Sequence, residues 1–290
     1  MTPVGCRPRL RPTRVLRVAS DLDGTLLRSD GSLSPATMSL LTAVQDLDIP
    51  LVVATARTPR AIREVAGHEH LGRVVCANGA VLWDARSGGV IWERGFEPTG
   101  LAAAVAGARR ALPDAGVALL SARTMFLDDA YLDLRVKGAE GAETFSDVAH
   151  VLSSHRIVMV AIRHPRLTAE QLLHPATEAF AGVGTASFAG LGVVDVAPLA
   201  VSKAVGVAEE MAEKRCSAEA TVVFGDMPND LPLFAWAGWA CAAANGHPEV
   251  LAAADEVVPS NDDDGVGRTV QRLLGFSSDS PLTRDRSVTP

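Results

Sequence analysis

Two short motifs in this 290-residue chain each carry a pair of aspartates at a spacing that could bind a cation. The motifs are Asp21-Leu22-Asp23-Gly24-Thr25 and Gly225-Asp226-Met227-Pro228-Asn229-Asp230. Each follows an apolar run with the length and β-branched content of a buried parallel strand. Ligands of open α/β sheets bind beyond the carboxyl ends of the strands. We therefore expect the four carboxylates to converge on one site.

A further motif, Thr55-Ala56-Arg57, follows the apolar run at 51–54 in the same way. A lone aspartate at such a place would be a turn residue or a helix cap, but four of them argue against that interpretation. Clustered carboxylates cannot all stay ionised in a partly buried site unless a cation neutralises them. An all-oxygen ligand set without His or Cys favours Mg²⁺, whose open positions are commonly filled by phosphate oxygens.

The composition narrows the class of protein. A net charge of −7 and a pI near 5.5 argue against nucleic-acid binding. No run approaches the ~18 apolar residues of a membrane span, and there is no signal-peptide core. The four cysteines form no C-x-x-C pair, so a zinc site is not expected. We expect a protein of the reducing cytoplasm, without a membrane or nucleic-acid partner.

The order of elements predicts an α/β fold: a doubly wound parallel-sheet, Rossmann-like core with an inserted α+β cap domain. Three strands alternate with two helices before Asn78, and two further strands follow Lys203. Between them, helices mix with short strands, and Gly88-Gly89 predicts a hairpin. The predicted division is a disordered tail at 1–13, a core at 14–83 and 199–275, a cap at 84–198, and a second disordered tail at 276–290.

These motifs together resemble the haloacid dehalogenase-like hydrolases, and their forms resemble the Cof-type phosphatase branch. The segments that carry the resemblance are Ser20 to Leu27, Asn78-Gly79-Ala80, Val201-Ser202-Lys203, Gly225 to Asp230 and Ser260 to Val266. In that branch a large cap is inserted between the second and third motifs, which here are Thr55 and Lys203. The resemblance covers roughly residues 15 to 275.

The resemblance implies a role for each motif residue. Asp21 would be the nucleophile and form an aspartyl-phosphate, Asp23 the general acid and base, and Lys203 the cation that supports Asp21. The Thr55 hydroxyl, the Ala56 N–H and Asn229 would bind phosphate. Mg²⁺ would be held by the motif aspartates, with Asp230 orienting its neighbours. The implied metal ligands are Asp21, Asp23 and Asp226, with the backbone carbonyl of Leu22.

The sequence also departs from the family pattern. Ala56 replaces a glycine that is common in the second motif, which makes a left-handed backbone there less favourable. Arg57 could reach the substrate or form an ion pair with a core acid, and the sequence does not choose between these. His247 is the one histidine near the predicted site, and we interpret it as a residue of a surface loop.

The implied activity is a Mg²⁺-dependent phosphatase acting on a small phosphorylated metabolite, a sugar phosphate or similar, in a monomer or homodimer. A phosphomutase of the same fold is an alternative, and so is a non-catalytic regulatory protein that binds a phosphorylated ligand. The cap would set the substrate. Its polar candidates, which could contact a sugar or face water, are Arg123, Asp128, Asp129, Arg135 and Lys137.

Overall fold

The computed structural model describes residues 17–134, 140–188, 192–213 and 217–275. The two predicted tails, 1–13 and 276–290, lie outside the described residues, as do Arg135 and Lys137. The strands are β1 (Arg17–Ser20), β2 (Leu51–Ala54), β3 (Arg73–Cys76), β4 (Val81–Asp84), β5 (Gly89–Glu93), β6 (Gly116–Leu120), β7 (Met125–Leu127), β8 (Glu143–Thr144), β9 (Met159–Arg163), β10 (Gly184–Ser187), β11 (Val194–Pro198), β12 (Thr221–Gly225), β13 (Trp239–Ala243) and β14 (Glu256–Val258).

Helices connect most of these strands. They are α1 (Pro35–Asp46), α2 (Pro59–Ile62), α3 (Pro98–Ala111), α4 (Asp129–Asp133), α5 (Val148–Ser154), α6 (Ala169–Ala179), α7 (Lys203–Glu213), α8 (Leu231–Trp236), α9 (Pro248–Ala253) and α10 (Gly265–Leu273). The predicted start of α1 is confirmed: the Ser34 hydroxyl accepts from the Thr37 N–H at 3.0 Å. None of the described helices combines the length and apolar composition that crossing a membrane requires.

The first sheet has eight strands in the order β14-β13-β12-β1-β2-β3-β4-β5. The six strands from β14 to β3 are parallel, and β4 and β5 extend the edge as an antiparallel pair. The predicted hairpin at Gly88-Gly89 joins that pair. The strand at 89–93, which the sequence analysis assigned to the insertion, therefore belongs to the first sheet, because β5 finds its hydrogen-bond partners on β4.

Alternating side chains explain why the first sheet is covered on both faces. In β1, Val18 packs into one apolar cluster and Ala19 into another, and β12 alternates in the same way. The first cluster takes residues of α1 and α10, and the second takes residues of α7, α8 and α9. Both faces are thus covered by helices, which confirms the predicted doubly wound core.

The second sheet takes all its strands from the chain between β5 and β12, in the order β10-β11-β9-β6-β7-β8. One face is covered by α3, α5 and α6. The other face carries Ala118, Ala161 and Ala197, which belong to the same apolar cluster as Val18 and Val53 of the first sheet, and the short helix α4 adds Tyr131 to that cluster. The face that α3, α5 and α6 leave open is therefore packed toward the core sheet.

Candidate active site

The motifs that begin at Asp21 and at Gly225 meet at the carboxyl ends of two hydrogen-bonded strands. Ser20 of β1 lies opposite Phe224 of β12, and the Asp21 N–H donates to the Phe224 carbonyl at 2.9 Å. Oxygens of Asp21, Asp226 and Asp230 lie within 4.8 Å of one another, and all three residues are buried. Three of the four aspartates of these two motifs thus form one carboxylate cluster.

Lys203 is the cation at the base of this cluster. Its ammonium lies 2.8 Å from Asp21 Oδ1 and 2.8 Å from Asp230 Oδ1, and the side chain is 1% exposed. Burial alone would lower the pKa of Lys203, but the charges of Asp21 and Asp230 outweigh it and raise that pKa. Lys203 is therefore held charged inside the protein, at the first residue of α7.

The hydrogen bonds of the three carboxylates differ. Asp230 uses both oxygens, one for Lys203 and the other for the N–H groups of Asp226 and Met227, each at 3.1 Å. Asp21 Oδ1 accepts from the Leu22 N–H at 2.7 Å and from Lys203. Among the described residues, none donates to Oδ2 of Asp21 or to Oδ2 of Asp226. These two oxygens are available to a ligand, whereas those of Asp230 are already committed.

The electrostatics of the cluster fit a divalent cation. Three carboxylates and one ammonium leave a formal charge of −2 when all are ionised. Burial and the neighbouring charge of Asp230 raise the pKa of Asp21 well above its ordinary value, against the pull of Lys203. Burial and Asp230 also raise the pKa of Asp226, to about 6. The residues present thus leave negative charge uncompensated, and carboxylate oxygens are the hard ligands that Mg²⁺ takes.

Asp23 is placed outside the carboxylate cluster. Its two oxygens accept from Arg57 Nη2 at 2.6 Å and from Arg57 Nε at 2.9 Å. The Asp23 side chain is 49% exposed, unlike the other three. Of the two roles left open for Arg57, the structure shows the ion pair with a core acid. Arg57 takes both oxygens of Asp23 in this arrangement, and the metal-ligand role implied for Asp23 stays a prediction.

The loop that carries Asp23 is a wide turn at Leu22–Leu26, closed by the Leu27 N–H and the Leu22 carbonyl at 2.8 Å. Gly24 has φ +71°, and a Cβ there would lie 2.3 Å from Asp226 Oδ2. Glycine is needed at this position both for the left-handed backbone and for the close approach of the carboxylate.

Two further contacts that the sequence analysis did not find hold this loop. The Thr25 hydroxyl donates to Asp226 Oδ1 at 2.7 Å, which fixes the carboxylate across the two strands. Asn245 Nδ2 donates to the Gly24 carbonyl at 2.7 Å. Thr25 is part of the motif that contains Asp21, so the sequence did indicate that it lies near the site. The Asn245 contact depends on tertiary packing.

The second motif lies at the end of β2, which pairs with β1. Thr55 is fully buried, its N–H donates to the Val75 carbonyl at 2.8 Å, and its hydroxyl accepts from the Arg57 N–H at 3.1 Å. Ala56 is half-buried and is not among the residues with a left-handed backbone. The hydroxyl of Thr55 and the N–H of Ala56 thus stand beside the strand that ends in Asp21.

Asn229 is buried in the 3₁₀ turn Pro228–Asp230, and its Nδ2 donates to Asn78 Oδ1 at 3.1 Å. Asn78 in turn reaches Asp195 of the inserted sheet, a residue that the sequence analysis did not identify. His247 is half-buried and caps α9 by accepting from the Glu249 N–H, and its ring meets Phe188 edge-on. It is a capping residue as well as a loop residue.

Of the cap candidates, Asp128 has a structural role. Its carboxylate caps α4 through the Tyr131 N–H at 2.9 Å and pairs with Arg109 at 3.0 Å. It is buried, so it neither faces water nor is free for a sugar. Arg123 lies in the turn that joins β6 to β7.

Comparison with protein families agrees with this geometry. A family model described as haloacid dehalogenase-like hydrolase matches residues 18–270. This chain belongs to the haloacid dehalogenase-like hydrolases. A comparison with proteins of curated function finds no match.

Solved structures of the same fold cover nearly the whole chain of this haloacid dehalogenase-like hydrolase. SMU.1108c from Streptococcus mutans aligns with TM-score 0.79 and 23% identity over 90% of this chain and 99% of its own. BT1666 from Bacteroides thetaiotaomicron, one of the phosphatases of the superfamily, gives 0.76 and 23% over 93% and 98%. A haloacid dehalogenase-like hydrolase from B. subtilis gives 0.77 and 18% over 89% and 100%. At these identities the likeness shows the shared fold.

Proposed function

We propose that this protein is a Mg²⁺-dependent phosphatase that hydrolyses a small phosphorylated metabolite through an aspartyl-phosphate on Asp21. One observation carries the proposal. Lys203 and the Leu22 N–H hold Oδ1 of Asp21, none of the described residues donates to its Oδ2, and the Asp226 carboxylate lies in the same cluster. This is the arrangement that a carboxylate nucleophile needs, because one oxygen is fixed and the other can attack.

In the first step, Oδ2 of Asp21 attacks phosphorus, and the bond from phosphorus to the substrate oxygen breaks. The leaving oxygen takes a proton from Asp23. In the second step, Asp23 removes a proton from water, whose oxygen attacks phosphorus and releases phosphate from Asp21. One residue serves as acid and then as base, so the protons balance over the cycle.

The phosphate oxygens would be held by the Thr55 hydroxyl, the Ala56 N–H, Asn229 and Lys203. Positioning and charge stabilisation supply most of the catalysis in phosphoryl transfer. Asp21 and Asp226 would hold Mg²⁺, and Asp230 would orient Lys203 and the backbone of Asp226. Bound Mg²⁺ neutralises charge on the phosphoryl oxygens.

We propose that the inserted sheet and its helices act as the cap of a protein of the cytoplasm. The face of the sheet opposite α3, α5 and α6 is packed toward the core sheet, and Asp195 on that face reaches Asn78 of the core. A lid in this position would exclude water from the aspartyl-phosphate until Asp23 activates one molecule.

The test is release of inorganic phosphate from p-nitrophenyl phosphate and from a panel of phosphometabolites that begins with sugar phosphates. We expect turnover with Mg²⁺, none with EDTA, and restoration by added Mg²⁺. Asp21→Asn should remove turnover and keep the fold, whereas Asp133→Asn, an exposed aspartate on α4, should be active. Transfer of the phosphoryl group between positions of a sugar without phosphate release would indicate a phosphomutase. Binding of phosphorylated ligands without either reaction would indicate a regulatory protein.

A further inference from the structure

Three buried side chains form a hydrogen-bonded chain from the inserted sheet to the core. Asp195 lies on β11 of the inserted sheet and accepts from Asn78 Nδ2 at 3.5 Å. Asn78 Oδ1 accepts from Asn229 Nδ2 at 3.1 Å. The exposed fractions of the three residues are 5%, 5% and 8%. Asp195 is thus connected to Asn229, a residue of the motif that contains Asp226 and Asp230.

The position of Asp195 follows from the alternation of β11. Its neighbours Val194 and Val196 pack under the helices of the inserted region. Asp195 therefore projects from the opposite face, where Ala197 lies and where the sheet meets the core. An apolar residue would satisfy the packing there, so the carboxylate needs a reason beyond packing.

Asn78 is held in place by an unusual backbone. Both Ala77 and Asn78 have left-handed dihedrals, with φ +50° and +53°. The Ala77 N–H donates to the Arg57 carbonyl at 2.8 Å, and the Asn78 N–H donates to the Thr55 carbonyl at 3.0 Å. Non-glycine residues adopt this conformation at a cost and cluster at functional sites when they do. The second motif thus fixes the amide of Asn78 between Asp195 and Asn229.

The direction of the hydrogen bonds depends on Asp195. An ionised carboxylate only accepts, so Asn78 must turn its Nδ2 toward Asp195 and its Oδ1 toward Asn229. Asn229 must then turn its Nδ2 toward Asn78. Its Oδ1 is buried, and none of the residues that the structure describes donates to it. An unpaired buried acceptor is costly, and here it belongs to the residue that should donate to phosphate.

We propose that Asp195 and Asn78 form a positioning relay that sets which end of the Asn229 amide faces the substrate phosphate. This inference rests on the proposed function. When Asp195 gains a proton, its O–H donates to Asn78 Oδ1, and the amides of Asn78 and Asn229 both turn over. Asn78 Nδ2 then donates to Asn229 Oδ1, and Asn229 Nδ2 is released to donate to phosphate. One proton is taken up, no covalent bond is made in the relay, and the unpaired acceptor gains a partner.

The surroundings of Asp195 allow this change near neutral pH. Burial raises the pKa of Asp195 to about 7, against the hydrogen bond from Asn78 and the charges of Arg163 and Lys203. Arg163 faces it from β9, Lys203 from α7, and Tyr131 from α4. Because binding linkage is reciprocal, phosphate that prefers the protonated relay must also favour proton uptake at Asp195.

The test compares orthophosphate binding to the wild type and to Asp195→Asn between pH 5.5 and 8.5, by calorimetry with Mg²⁺ present. An asparagine at this position can donate to Asn78 at every pH, so the donating direction of the relay no longer depends on pH. We expect the dissociation constant of the wild type divided by that of Asp195→Asn to be near one at pH 5.5. This ratio should rise to about ten at pH 8.5, which corresponds to the loss of one charge-assisted hydrogen bond. The titration of phosphate itself affects both proteins and cancels in the ratio.

A purely structural role for Asp195 would give a ratio that does not change with pH, and that result would overturn the relay. Asn78→Ala breaks the chain, so adding Asp195→Asn to it should have no further pH-dependent effect; a persisting effect would also overturn it. Turnover of p-nitrophenyl phosphate, measured on the same preparations, separates the two proposals. Turnover with a flat ratio rejects the relay alone, whereas absence of both turnover and phosphate binding rejects the proposed function and the relay with it.

Discussion

Arg57 holds both carboxylate oxygens of Asp23, with Nη2 and Nε at 2.6 Å and 2.9 Å. A bidentate guanidinium occupies both oxygens of the carboxylate. The residue proposed as general acid must instead present one of those oxygens to the leaving group. The pair is therefore the resting arrangement of Asp23, and binding of substrate must loosen it before Asp23 can protonate a leaving oxygen.

This relationship predicts a dependence on the leaving group. Asp23→Asn should lower kcat/KM for an alkyl phosphate by about 100-fold or more. The loss should be much smaller for p-nitrophenyl phosphate, because p-nitrophenolate departs without a proton. Steady-state kinetics on the two substrates provide the measurement, with the exposed Asp133→Asn as control. Equal losses on both substrates would show that Asp23 does not act as the acid.

Arg57→Ala tests the same pair from the other side. Asp23 is half exposed, so the pair is worth up to about 1 kcal/mol. Releasing Asp23 should raise kcat/KM for the alkyl phosphate relative to p-nitrophenyl phosphate by up to about fivefold. A fall of similar size on both substrates would instead mean that Arg57 binds the phosphate directly.

Gly24 offers a prediction with a matched control. Gly24→Ala places a methyl group 2.3 Å from Asp226 Oδ2, so the carboxylate must move. Gly31 has a similar left-handed backbone, at φ +82°, but a Cβ there meets nothing within 4 Å. Both variants should lose about 1 kcal/mol of unfolding free energy from the backbone alone.

Only Gly24→Ala should also weaken Mg²⁺ activation, by about 10- to 100-fold. A titration of turnover against Mg²⁺ concentration measures the difference. Gly24→Ala with the Mg²⁺ affinity of Gly31→Ala would disconnect the turn from the metal site.

The sequence predicted the convergence of the motifs because strand ends and aspartates are both local signals. β1, β2 and β12 are apolar runs that end at polar residues, and the parallel sheet brings those ends together. The place of Lys203 beside Asp21 was implied by the family resemblance alone. What the sequence could not provide was the partner of each side chain. Whether Asp23 faces the cluster or Arg57 depends on the dihedrals of a five-residue turn.

The contacts of the inserted sheet were harder to predict for the same reason. In the sequence, Asp195 is one polar residue in a short strand, and only the docking of two sheets brings it to Asn78. Asp128 was a candidate for the substrate, yet it caps a helix and pairs with Arg109. The edge strand β5 was assigned to the insertion because the hairpin signal does not show which of the two sheets the strand joins.

Substitution of Lys203 should have a large effect on the stability of the protein. Lys203→Met leaves three buried carboxylates without their cation, which should cost about 3 to 5 kcal/mol of unfolding free energy. Adding Asp230→Asn removes one of those charges, so the double variant should be more stable than Lys203→Met alone. Urea unfolding in EDTA at pH 7.5 gives the free energies. Additive losses in the double variant would mean that the two residues do not interact.

The raised pKa of Asp226 predicts how the stabilisation of the protein by Mg²⁺ varies with pH. The folded-state pKa of Asp226 is about 6, above its ordinary value of 3.8, so the folded state binds the proton more tightly than the unfolded chain. Without metal, the stabilisation from this group is present below pH 4 and is lost as pH rises to about 6, a change of about 3 kcal/mol. Mg²⁺ binds the ionised form of Asp226 and should restore the stability that is lost. The increase in Tm on adding MgCl₂ should therefore be small at pH 5 and large at pH 7.5.

Asp226→Asn provides the decisive comparison, since an amide at this position does not titrate. In EDTA at pH 7.5 this variant should be more stable than the wild type, because it removes an uncompensated buried charge. It should also gain little from Mg²⁺ at either pH, because the amide is a weaker ligand than the carboxylate. Scanning fluorimetry with and without MgCl₂ measures all four conditions. A wild type whose Mg²⁺ response is equal at pH 5 and pH 7.5 would exclude Asp226 as the group that couples protons to the metal.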